Sequence, residues 1–114
     1  QQIVDQVRAQ ILSGELKPGD PLPSIRKLAA DLLASVITTK RAYADLEAEG
    51  LIVTRPGLGT FVADLSLEDI ERLKAREVIG HLANAVEAGR SLGLEDSEIA
   101  ELLQNVLDGR VNYG

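Results

Sequence analysis

Apolar residues recur at helical spacing in five stretches, and two further short runs are β-branched or aromatic. Ile3, Val4, Val7, Ile11 and Leu12 share one side of a helix over residues 2–13. Gly14 follows in the position of a helix-ending glycine. Pro18 and Pro21 exclude helix from the next segment, which is read as turn or extended chain. Ser24 is placed to cap a second helix that runs to about Leu33, with Ile25, Leu28, Ala29 and Leu32 inward. Ser35 is placed to cap a third helix, closed by Gly50, with Thr39, Ala42, Tyr43 and Leu46 inward and Ile37, Thr38, Arg41 and Asp45 outward. Leu51-Ile52-Val53 and Thr60-Phe61-Val62 flank the turn cluster Arg55-Pro56-Gly57-Leu58-Gly59, which predicts a hairpin. Ser66 opens a long helix to about Ala88, striped by Leu67, Ile70, Leu73, Val78, Leu82, Ala85 and Val86. After a loop bracketed by Gly89 and Gly93, a last helix covers about residues 96–107 with Ile99, Leu102, Leu103 and Val106 on one side.

This order predicts a mainly α protein with a small β-hairpin. A short helix, a turn and a polar helix followed by a hairpin is the grammar of a winged helix-turn-helix. The expected division is residues 1–64 as a DNA-binding domain and residues 65–114 as a helical dimerisation tail, since amphipathic helices of this size need a partner for their apolar faces.

Composition narrows the chemistry. Tyr43, Phe61 and Tyr113 are the only aromatic residues and cysteine is absent, so the core is aliphatic, with no disulfide or thiolate site. No run of about 18 apolar residues occurs, so no membrane partner is expected. The first residues lack a signal-peptide pattern and a methionine, so the native start is expected upstream and the protein is expected to be cytoplasmic. The net charge is −6. Residues 1–64 carry seven Lys or Arg against eight Asp or Glu, whereas residues 65–114 carry five against ten. The acidity therefore belongs to the tail, and a local basic surface remains available for DNA.

The candidate DNA-binding residues are Arg26, Ser35, Ile37, Thr38, Lys40, Arg41, Arg55, Gly57 and Gly59. Arginine offers a fork of donors suited to phosphate or guanine. Ser35 and Thr38 can donate to phosphates or serve as caps. Lys40 and Arg41 reach phosphate or base, or pair with Asp31 or Asp45. Ile37 either contacts a thymine methyl or packs at the edge of the core. Arg55 supplies a phosphate contact from the hairpin, and the two glycines let its tip approach the sugar-phosphate backbone. His81 lacks a second His or any Cys to complete a metal site, and reads as structural. Gly80, within a helix, points to a close helix crossing or a dimer contact. No nucleophile–base pair or phosphate loop is present, so neither an enzyme nor a cofactor is expected.

The stretches Gly14-Glu15-Leu16-Lys17-Pro18-Gly19, Leu22-Pro23-Ser24-Ile25-Arg26, Leu28-Ala29, Arg41-Ala42-Tyr43, Leu46-Glu47-Ala48-Glu49-Gly50-Leu51 and Arg55-Pro56-Gly57-Leu58-Gly59-Thr60-Phe61-Val62 resemble the DNA-binding domain of the GntR family of bacterial transcription regulators. The resemblance covers about residues 3–63. It implies a winged helix-turn-helix that binds a palindromic DNA operator as a homodimer, with Arg26 matching a family arginine that contacts DNA. The short tail is similar to that of the YtrA subfamily, which implies dimerisation through residues 65–114 and repression; it names no effector. Leu33 stands where the family usually has glycine, and Val36 where it often has a polar residue. Leu33 must avoid the left-handed region or accept strain. The alternative to an operator-binding regulator is a winged-helix protein-interaction module.

Overall fold

A computed structural model of the chain describes residues 2–111. Its elements are α1 (Gln2–Leu12), α2 (Ile25–Asp31), α3 (Val36–Ala48), β1 (Ile52–Arg55), β2 (Gly59–Val62), α4 (Leu67–Ser91) and α5 (Asp96–Leu107). The fold is mainly helical with one two-stranded antiparallel sheet, as the periodicities predict. It forms two compact units, Gln1–Leu73 and Lys74–Gly114.

The first unit is built around α3, which packs against α1, α2 and β1. Its inward residues Thr39, Ala42, Tyr43 and Leu46 are buried, as their spacing predicts. They join Ile3, Val4, Val7, Ile11 and Leu12 of α1, and Leu51, Ile52 and Val62 at the hairpin. Leu65, Ile70 and Leu73 pack against the edge of this core, so the unit extends into the first turns of α4. Leu67, which the predicted stripe includes, departs from it: it opens α4 and is exposed. Arg8 grips Glu49 with two nitrogens, at 2.9 and 2.7 Å, joining α1 to the end of α3.

The proline-rich segment is more ordered than a turn. Gly19 donates to Val62, Val62 to Asp20, and Leu22 to Thr60, so residues 19–22 run beside β2 and satisfy its outer edge. Pro21 forms an antiparallel bridge with Phe61, where a missing N–H costs no ladder bond.

α2 ends at Asp31, two residues before the predicted limit. Ala34 donates to Ala29 and Leu33 to Ala30, the paired bonds of a Schellman stop. The same pairing closes α3 at Gly50, α4 at Gly93 and α5 at Gly109. In those three the left-handed residue is glycine; after α2 it is Leu33, at φ 54°. Of the two options open to Leu33, the chain takes the strained one.

In the second unit, α4 ends at Ser91 and α5 begins behind a capping box between Glu95 and Glu98. Arg90 clamps Asp96 at 3.1 Å, and this hydrogen bond, then the guanidinium charge, holds the Asp96 carboxyl below its ordinary range. Gly80 is not a close crossing within the chain, because a Cβ there would meet nothing within 4 Å. The tight crossing is at Gly89, where a Cβ would lie 2.8 Å from Ile99. His81 stays on the surface, 3.3 Å from Glu77.

Candidate nucleic-acid interface

The α2–turn–α3 unit positions most of the candidate residues. Ser24 accepts from the Lys27 N–H at 3.1 Å and so starts α2, placing Arg26 in its first turn. Tyr43 is buried in α3, yet its hydroxyl reaches the Pro23 carbonyl at 2.7 Å, just ahead of α2. This bond fixes the start of α2 against the middle of α3. Burial pushes the Tyr43 hydroxyl up to about 12 from 10.0, so it remains a donor across the ordinary pH range.

Ser35 caps α3: its Oγ accepts from the Thr38 N–H at 3.0 Å and donates to Thr38 Oγ1 at 2.8 Å. Both hydroxyls remain exposed at the helix start, where unpaired backbone N–H groups and the helix dipole favour an anion. Capping and phosphate contact are thus compatible here, because an oxygen carries more than one hydrogen-bonding site.

Ile37, Lys40 and Arg41 are exposed, with Thr38, on the side of α3 away from the core. Ile37 is 73% exposed and so is not packed at the edge of the core. Among the described residues, Arg26, Lys40 and Arg41 form no ion pair, leaving three cations available to an outside anion. Asp31 is instead engaged by Lys27 at 3.4 Å.

The hairpin forms the wing. Ile52 pairs with Val62 and Arg55 with Gly59, leaving Pro56, Gly57 and Leu58 at the tip. The Leu58 N–H closes the turn on the Arg55 carbonyl at 2.9 Å. Gly57 and Gly59 have φ of 76° and 124°, so the tip requires glycine at both places. The Arg55 guanidinium stands 5.6 Å from the Phe61 ring centre, a cation–π contact that steadies an otherwise exposed side chain. Exposed Leu58 at the tip is absent from the sequence-derived set; its place between two turn glycines was the available signal.

A helix-turn-helix with an adjoining wing is now in place, with polar and cationic residues on its free face. Residues 1–62 match the family described as bacterial regulatory proteins, gntR family. The chain belongs to the GntR family. It is similar to two proteins of Bacillus subtilis (strain 168). One is the uncharacterized HTH-type transcriptional regulator YhcF, 34% identical over 95% of this chain and 88% of that protein. The other is the HTH-type transcriptional repressor YtrA, 31% identical over 93% and 82%. Among solved structures, a GntR family transcriptional regulator from Listeria monocytogenes superposes with a TM-score of 0.79 at 30% identity, covering 91% of this chain and 90% of that one. These GntR relatives match the tail as well as the winged helix, and they are transcription regulators rather than enzymes. The protein is therefore a DNA-binding transcription regulator, and its likeness to YtrA extends through both units. Among the described residues, no helix is long and apolar enough to cross a membrane.

Proposed function

We propose that the chain binds a palindromic operator as a homodimer through its winged helix-turn-helix and represses transcription there. The observation that carries this reading is the free face of α3, where Thr38, Lys40 and Arg41 are exposed and the two cations have no carboxylate partner among the described residues. In this reading α3 lies in the major groove, and Arg26, Ser35, Arg55, Gly57 and Gly59 meet the flanking backbone. About four phosphates neutralised per protomer would give a dimer a salt slope near −7. Similarity to a protein named as a repressor supports the direction of control.

The second unit supports pairing through residues 65–114, with residues 1–64 supplying the DNA contacts. Gly89 is the only buried residue among described residues 74–111. Leu82, Leu102, Leu103 and Val106 instead line an apolar groove between α4 and α5. Two helices that enclose almost nothing need a partner to cover those faces. A symmetric pair would set the two α3 helices about 34 Å apart, one turn of DNA.

The test uses duplexes selected by the full chain from genomic DNA. Arg26→Ala with Arg41→Ala should abolish retention while the circular dichroism spectrum is kept. Unchanged retention would favour the protein-interaction module. Leu103→Glu with Val106→Glu should convert a sedimenting dimer to a monomer and weaken retention; a persistent dimer would remove the tail from the pairing role.

A further inference from the structure

The most outward residue of α3 is aliphatic. An α-helix turns about 100° per residue. The buried residues Thr39, Ala42, Tyr43 and Leu46 occupy one side, and Ile37 falls opposite their centre. Lys40 and Arg41, one turn further on, flank Ile37 on its two sides. Val36, at the first helical position, is 43% exposed but lies about 100° round the helix from it. Ala44, seven residues on, continues the ridge with a side chain too short to reach outward.

A single exposed apolar residue is ordinary on a protein surface. The position of this one is not: it is the apex of the first turn of the recognition helix, the part that meets base edges. Isoleucine has no donor or acceptor, so it distinguishes bases only by apolar contact. In the major groove only thymine, of the four DNA bases, presents a methyl group.

We propose that Ile37 is a specificity-determining residue that reads the C5 methyl of a thymine in each operator half-site, while Lys40 and Arg41 hold the groove edges on either side. This rests on the operator-binding reading above and names what that surface recognises.

The experiment takes duplexes selected by the full chain from a randomised pool. Each thymine of the half-site is replaced in turn by deoxyuridine, which removes the methyl and leaves the pairing edge intact. One or two positions per half-site should lose about fourfold in affinity, the worth of one buried methyl-sized group. Ile37→Ala should bind thymine and uracil equally at those positions, and Ile37→Val should retain part of the preference. Selected duplexes that tolerate uracil everywhere, or an Ile37→Ala variant with the thymine preference intact, would overturn the assignment while leaving operator binding standing. If the wild-type chain selects no duplex, both readings fall.

Discussion

The Tyr43 hydroxyl donates a 2.7 Å hydrogen bond to the Pro23 carbonyl, linking the buried side of α3 to the residue that precedes the α2 cap. The acceptor is a main-chain oxygen twenty residues upstream, beside Ser24 and three positions before Arg26. One bond therefore governs how α2 is presented relative to α3. Tyr43→Phe should lower unfolding stability by about 1 kcal/mol, the usual worth of such a bond, with more lost if the carbonyl stays dry. Urea titration measures the loss, and operator affinity should fall along with it.

The same hydroxyl gives a defined alkaline limb. Its folded pKa is about 12 against an ordinary 10.0, because burial disfavours the tyrosinate. Below about pH 10 the proton is bound in both folded and unfolded chains, and the contribution is fully present. As pH rises from 10 to 12 the unfolded chain releases the proton first and stability declines. Unfolding midpoints of wild type should fall across this window more steeply than those of Tyr43→Phe. Parallel curves would remove Tyr43 as the cause.

Leu33 is the one Schellman residue among four that is not glycine, and at 95% exposure it gains little from burial. A left-handed conformation costs an L-residue about 1–2 kcal/mol, partly offset in a glycine variant by greater unfolded-chain freedom. Leu33→Gly should therefore stabilise the chain by up to about 1 kcal/mol. A thermal melt that shifts downward would show that Leu33 makes a contact worth more than its strain.

The two glycines inside α4 should respond in opposite ways. A Cβ at Gly89 would press on Ile99 Cγ1 and Cδ1 at 2.8 Å, so Gly89→Ala should destabilise despite its better helix propensity. Adding Ile99→Ala should relieve the overlap, and a double-mutant cycle should give a coupling of at least about 0.5 kcal/mol. Gly80 meets open space, so Gly80→Ala should stabilise by up to about 1 kcal/mol. A loss of dimer in Gly80→Ala would instead place that glycine against the partner.

By itself, the sequence determined the elements, their order and the buried side of α3. Those follow from periodicity and from caps such as Ser24 and Ser35, which act within a few residues. The candidate cations Arg26, Lys40, Arg41 and Arg55 were legible for the same reason, because outward positions are the complement of the buried stripe. Contacts between distant segments were decided only in three dimensions. Tyr43 reaching Pro23, residues 19–22 closing the edge of β2, and Ile99 seated over Gly89 rather than any crossing at Gly80 all depend on how elements dock. The conformation of Leu33 belongs with them: both strained and relaxed turns are open to a leucine, and the packing of α2 against α3 selects the strained one.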